Sequence, residues 1–316
     1  MSYTLVSRGI GGGYTIPVNP LAFAGSVSLP ALAAREAAYY RVTVPSNTPS
    51  WKLQLDNASG ESRLLLQKDF LPNVSAGSSA SPLTPSGGKL ISKIGGELHV
   101  PLPASSQTNI PAGDYFVAVV SEGMNASGNR IGTNGASFTL HSLGLINTTD
   151  VGTLTPAADL NWSDTLLGGE FKSYRFTVAE GTLSLQLRLT NVVGDPYVTM
   201  RLGGGIPSPN QNYGYFGGLS DQWSHGSLIN IANPTPGEYF LTLQARGSGD
   251  VYPNASATIN IHALGSMPVA FDGAVVAVTN QPSDTWQYFY VTIPTNVLGW
   301  DLRLTNVTSG DPRLVV

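Results

Sequence analysis

The stretch LRLTNVVGDP runs from Leu187 to Pro196, and a near copy, LRLTNVTSGDP, runs from Leu302 to Pro312. Its first half alternates apolar and polar residues, so Leu183, Leu185, Leu187 and Leu189 are expected on one face of a strand. Its second half is turn chemistry: Asn tolerates the left-handed region, Gly supplies a positive φ, and Asp-Pro restarts an extended segment. Working backwards, YRFTV (Tyr174 to Val178) precedes the first copy and FYVTI (Phe289 to Ile293) the second. Near the start, YRVTV (Tyr40 to Val44) precedes WKLQLDN (Trp51 to Asn57). Tyr40, Tyr174 and Phe289 correspond, as do Asn57, Asn191 and Asn306, with the same offsets in both sets. The chain repeats itself, and a repeat found first fixes everything read after it.

Further landmarks agree. PAGDYFVAVV (Pro111 to Val120) matches TPGEYFLTLQA (Thr235 to Ala245), and FTLHSLG (Phe138 to Gly144) matches INIHALG (Ile259 to Gly265). YTLVSRG (Tyr3 to Gly9) has the form of the same closing strand, and AFAG (Ala22 to Gly25) matches AFDG (Ala270 to Gly273). The organisation expected is a closing strand of a preceding repeat over 1–9, a full repeat over 10–144, a second over 145–265 and a partial third over 266–316. GEYFLTLQA buries either Tyr239, Leu241 and Leu243 or the complementary set with Phe240. Strands are expected around Tyr288–Ile293, Trp300–Leu304 and Arg313–Val316. PALAAREAAYY (Pro30 to Tyr40) is the single helix-like run. Short alternating strands divided by turn signals make the fold all-β: tandem antiparallel β-sandwich, jelly-roll-like repeats.

Composition narrows the function. Charged residues are 11% of the 316, against about 25% in a typical soluble domain. Sixteen Lys and Arg, a net charge of -4 and no basic run argue against a nucleic-acid partner, which needs clustered cations. The chain has no cysteine, so thiolate catalysis, disulfides and Cys-ligated metals are excluded. No run of 18 apolar residues occurs, so no membrane-spanning helix is expected. The N-terminus lacks the charged-then-apolar pattern of a secretory signal. A charge-poor, Thr/Asn/Gly-rich chain without cysteine nevertheless fits an extracellular or cell-surface protein.

The aromatic-x-[FV]-T-V strand, the L-x-L-x-L strand, Gly-Asp-Pro-Tyr-Val and the Pro-Gly-Glu-Tyr-Phe-Leu element together resemble the bacterial pre-peptidase C-terminal domain. The second repeat matches over nearly its whole length, with GGGIPSPNQNYGYFGG in the variable loop. The first repeat departs at Gly60-Glu61-Ser62, where Gly-Asp-Pro is expected. The resemblance implies a small jelly-roll-like sandwich appended to secreted peptidases and other extracellular proteins.

Candidate chemistry is sparse. The motifs G-x-S-x-G, H-E-x-x-H and G-x-x-x-x-G-K-[ST] are absent, so no enzyme is expected. His141 and His262 occupy equivalent positions, where one ring nitrogen bonded to backbone is the reading. In some relatives, loop carboxylates bind calcium, which makes Asn191 with Asp195 a candidate calcium pair; an Asx cap of the turn is the alternative. No other cofactor is indicated. NYGYFGGLSDQW (Asn212 to Trp223) gathers Tyr213, Tyr215, Phe216 and Trp223, which either stack on a ligand such as a sugar ring or cover one end of the sandwich. The expected role is that of a non-catalytic extracellular repeat region, structural, adhesive or spacer, whose partners are neighbouring repeats or copies of itself. The partial third repeat is read either as continuing beyond Val316 or as completed by another copy, whose Tyr3 to Gly9 enters it by strand addition and builds a filament. The alternative is a carbohydrate- or matrix-binding accessory region of a secreted hydrolase.

Overall fold

The computed structural model describes Thr4, Gly13 and residues 15–72, 89–93, 96–103, 107–121, 134–203, 205–207, 222–225, 228–247, 251–283 and 285–316. In the first repeat the described strands are β1 (Val18–Pro20), β2 (Ala24–Leu32), β3 (Ala37–Val44), β4 (Leu53–Ser59), β5 (Ser62–Lys68), β6 (Lys89–Lys93), β7 (Gly96–His99), β8 (Gly113–Ser121) and β9 (Ala136–Leu143). The second repeat runs in the same order: β10 (Thr148–Leu154), β11 (Leu160–Leu166), β12 (Phe171–Val178), β13 (Ser184–Val193), β14 (Pro196–Leu202), β15 (Gln222–His225), β16 (Leu228–Ala232), β17 (Gly237–Ala245) and β18 (Ala255–His262). Each repeat folds into two sheets, β1-β3-β8-β5 facing β2-β9-β4-β7-β6, and β10-β12-β17-β14-β15 facing β11-β18-β13-β16. All ladders in both are antiparallel except the first, in which β1 runs parallel to β3 and β10 parallel to β12.

The repeated sequence landmarks are the inner faces of these sheets. In the first repeat Tyr40, Val42, Val44, Trp51, Leu53, Leu55, Tyr115, Val117, Phe138 and Leu140 make one core. In the second, Tyr174, Phe176, Val178, Leu185, Leu187, Tyr239, Leu241, Leu243, Ile259 and Ile261 make its counterpart. Burying each such side chain is worth about 1.5–3 kcal/mol against leaving it in water. The alternation of β17 is thereby decided in favour of Tyr239, Leu241 and Leu243. Leu183 departs from expectation: it is exposed, because β13 begins one residue after it.

The turn after β13 follows its chemistry. Asn191 has φ 50° and Gly194 φ 70°. A Cβ on Gly194 would stand 2.4 Å from the Asn254 carbonyl oxygen, and one on Gly60 would stand 2.4 Å from that of Gly135. Gly60 is therefore the first repeat's version of Gly194, but Asn57, at the position of Asn191, does not share its positive φ, and the ladder shifts between Asn57 and Ser59 instead of between Thr190 and Val193. The helix-like run from Pro30 is strand, turn and strand. Arg35 takes φ 68° and its N–H donates to the Ser121 carbonyl, so pairing with β8 overrides the local Ala and Glu preference.

The two repeats differ in how one strand pairs. After the variable loop, β6 pairs with β7 in the first repeat, whereas β15 pairs with β14 in the second. The edge of β5 that β15 would occupy is met by a side chain instead: the Leu64 N–H donates to Glu97 Oε2 at 2.8 Å, and Glu97 is 3% exposed. A carboxylate reaching across from the opposite sheet satisfies a backbone donor that would otherwise invite another strand.

Residues Met1–Ala263 form one compact unit and Leu264–Val316 a second. The second unit repeats the opening of the others. β19 (Ser266–Pro268) runs parallel to β20 (Tyr288–Tyr290), and Met267 opposes Phe289 as Asn19 opposes Tyr40. Phe271 lies 6.4 Å from Trp300 at 31°, close to the 6.0 Å and 36° between Phe23 and Trp51. The strands expected over Trp300–Leu304 and Arg313–Val316 do not form ladders. Their counterparts in the first two repeats pair with strands that follow them in the sequence. Trp300, Leu302 and Leu304 are accordingly exposed where Trp51, Leu53 and Leu55 are buried.

Candidate functional site

Where β7 leaves its sheet, the sequence Leu98-His99-Val100-Pro101-Leu102 carries three buried aliphatic residues that belong to neither sandwich core. They meet Phe171, the first residue of β12, with Ile146, Ile206 and Tyr252 packed around them. Leu98 lies opposite Gln54, a residue between the inward-facing Leu53 and Leu55, and so projects from the outer face of its sheet. Phe171 alternates with inward-facing Lys172 and Tyr174 and projects outward likewise. The two outward faces make an apolar seam between the first and second repeats.

Polar contacts close the seam's margin. The Ile146 N–H donates to Ser50 Oγ at 3.0 Å, and the Lys52 N–H donates to the Gly144 carbonyl at 3.1 Å. These bonds hold the linker against the repeat it leaves. Thr148 Oγ1 and Ser173 Oγ, 3.1 Å apart, hold it to the repeat it enters. Burial lowers the Lys52 ammonium pKa, partly opposed by the charges of Glu170 across the seam and Asp56.

A second cluster lies within the second repeat. Asp164 points inward from the edge strand β11, between Trp162 and Leu166. Lys172 Nζ donates to its Oδ1 at 2.5 Å and the Tyr174 hydroxyl to its Oδ2 at 2.6 Å, with Trp162 tilted 5.2 Å from the Tyr174 ring. Partial burial pushes the Asp164 carboxyl upward. The bonds from Lys172, Tyr174 and the Thr165 N–H, with the Lys172 charge, outweigh it, and the pKa lies below the usual range. Tyr174 is pushed up by its own burial and then by Asp164. A clasp between the sheets results, holding an edge strand in register. Asp164→Asn is expected to cost about 1–2 kcal/mol at neutral pH. Because the folded-state carboxyl is lowered, that advantage is present above about pH 4 and disappears as pH falls through the folded value. Denaturant melts of both proteins from pH 7 to pH 2 should converge; a constant gap would contradict the clasp.

The residues singled out in the sequence are dispersed. Tyr213, Tyr215 and Phe216 lie outside the described residues. Trp223 sits on β15 in register with Thr199, at the end of a row across the sheet that runs through Thr242 and Ser173 to Thr148. Asn191 Nδ2 donates to Thr258 Oγ1 at 3.3 Å. Asp195 faces Arg246, with Nε 3.8 Å from its Oδ2, and the same guanidinium stands 4.6 Å above the Tyr197 ring. Among the described residues no group of three or more His, Asp or Glu side chains converges to hold a metal. His141 and His262 pair with carboxylates instead of backbone: Nε2 of His141 is 3.3 Å from Asp56, and Nδ1 of His262 is 2.7 Å from Asp159. Both pairs are solvent-exposed and worth at most about 1 kcal/mol.

No helix among the described residues is long and apolar enough to cross a membrane. No family model matches the chain, and no curated protein matches it. Among solved structures, the CUB1-EGF-CUB2 domains of rat MASP-1 share 12% identity, covering 78% of this chain and all of that one, with a TM-score of 0.20. The corresponding human MASP-1/3 domains share 9%, covering 75% and 99%, with a TM-score of 0.20. The M60 catalytic domain with CBM51-1 and CBM51-2 from Clostridium perfringens ZmpB shares 8%, covering 75% and 36%, with a TM-score of 0.18. At that level of overlap these chains transfer no role to this one, and the all-β sandwich architecture rests on the strand ladders themselves.

Proposed function

We propose that this chain is a non-catalytic, extracellular repeat region whose role is structural: it spaces whatever it joins by stacking sandwiches at fixed intervals. The observation that supports this reading most directly is the apolar seam of Leu98, Val100, Leu102 and Phe171. A seam with a buried apolar centre restrains two modules that a short linker alone would leave free to reorient. The resemblance to the pre-peptidase C-terminal domain and the charge-poor composition support an extracellular setting for such a region. An adhesive variant, in which Tyr3 to Gly9 of one copy enters another copy's third repeat, concerns residues outside those described except Thr4.

Val100→Asp puts a charge into the seam without touching either sandwich core. Small-angle scattering of the variant should show a larger radius of gyration and a broader distance distribution. Protease should cut between Gly144 and Thr148 faster than in the parent chain. A scattering curve and cleavage rate indistinguishable from the parent's would defeat the spacer reading.

A further inference from the structure

The two repeats carry the same backbone donor and satisfy it differently. Leu64 of β5 opposes Val119 of β8, and its counterpart Val198 of β14 opposes Leu243 of β17. The shared register turns both N–H groups toward the outer edge of their sheets. In the first repeat that donor is bonded by Glu97 Oε2 at 2.8 Å. In the second, β15 runs along the same edge, with Ser224 opposite Val198.

The connection does not force this difference. β6 ends at Lys93 and β7 begins at Gly96, while β15 ends at His225 and β16 begins at Leu228, so two residues join each pair. The first pair closes as an antiparallel hairpin within one sheet, whereas β15 leaves β16 for the facing sheet. What does differ is one inner-face residue. Glu97 opposes the inward-facing Leu55, two residues before His99, which opposes Leu53. In the second repeat Ile229 opposes Leu187, the counterpart of Leu53, and two residues before it the sequence has Ser227.

We propose that this position selects the sheet joined by the strand that follows the variable loop: Glu97 keeps β6 on β7, and Ser227 lets β15 pass to β14. A strand arriving at β5 would have to take the Leu64 N–H from the carboxylate. It would strand that charge at a site 3% exposed, among apolar side chains. A serine hydroxyl stops well short of a facing sheet about 10 Å away. The buried Val198 N–H then needs an acceptor from elsewhere, and a strand laid along the edge supplies a carbonyl. Glu97 is thus a positioning residue for its neighbour strand, acting through a single backbone donor.

Because the chain has no cysteine, an introduced disulfide can report the route. Thr199 opposes Trp223 on β14 and β15, and the matching positions of the first repeat are Leu65 and Lys93. In the full 316-residue chain, Thr199→Cys with Trp223→Cys should cross-link under mild oxidation, and Leu65→Cys with Lys93→Cys should not. Adding Glu97→Ser should raise cross-linking of the Leu65 and Lys93 pair at least about tenfold. Adding Glu97→Gln, whose amide oxygen still accepts the Leu64 N–H, should leave it at the parent level. Ser227→Glu should lower cross-linking of the Thr199 and Trp223 pair by a similar factor, and this arm decides the matter if Glu97→Ser does not fold. The proposal is overturned if a folded Glu97→Ser chain stays unlinked, if Glu97→Gln links as readily as Glu97→Ser, or if Ser227→Glu changes nothing.

Discussion

Trp51→Ala is expected to destabilise the first repeat by about 3–5 kcal/mol, the range for removing a large aromatic from a packed core. Trp51 is fully buried, 5.5 Å edge-on from Tyr115 and 6.0 Å from Phe23. Its indole N–H donates to Ser142 Oγ at 2.9 Å, and that hydroxyl donates in turn to the Phe23 carbonyl at 2.6 Å. Truncation thus removes three things together: an aromatic volume, two ring contacts and the donor to a buried hydroxyl. A typical domain is stable by only about 5–15 kcal/mol, so the loss is a large share of the total. Chemical denaturation followed by tyrosine and tryptophan emission measures it. A loss under 1 kcal/mol would mean that the core relaxes around the gap.

Phe171→Ala is expected to cost the seam about 3 kcal/mol while leaving both sandwich cores filled. Its larger effect is on cooperativity. With the seam intact, residues 1–263 should unfold as one transition, and Trp51→Ala should therefore lower the stability of the second repeat as well. Without Phe171, the transition should split, and the Trp51 effect should stay confined to the first repeat. A double-mutant cycle in calorimetry reads this coupling directly. Strict additivity of Trp51→Ala and Phe171→Ala, with one undivided transition in every variant, would contradict a seam of this kind.

The inner faces were legible because burial inside a sandwich has period two and the repeat supplied three readings of the same alternation. Turn residues were legible in part: Gly60 and Gly194 both take the left-handed backbone that glycine favours, whereas Asn191 takes it and Asn57 at the matching position does not. Side chains that serve a neighbour carry no such signature. Leu98 alternates in the same rhythm as the core, and only the ladder to Gln54 reveals that it faces outward. The Asp56–His141 and Asp159–His262 pairs join residues remote in sequence but brought together by β9 and β18, so no local spacing could announce them. Glu97 was silent for the same reason, since its partner is a backbone N–H on the other sheet. Pro30 to Tyr40 misled because helix propensity, a matter of tenths of a kcal/mol per residue, yields to ladder formation.

The parallel pairing of β10 with β12 has a mechanical consequence. The first repeat meets the second at Phe171, beside the end of β10 where Thr148 opposes Ser173. Tension arriving from the first repeat therefore pulls β10 along its own length, away from that end. The ladder from Thr148 to Leu154 is then loaded in shear, its hydrogen bonds sharing the force instead of parting one after another. A strand that looks like a minor edge is thus the one through which tension on the linker would enter the second sandwich.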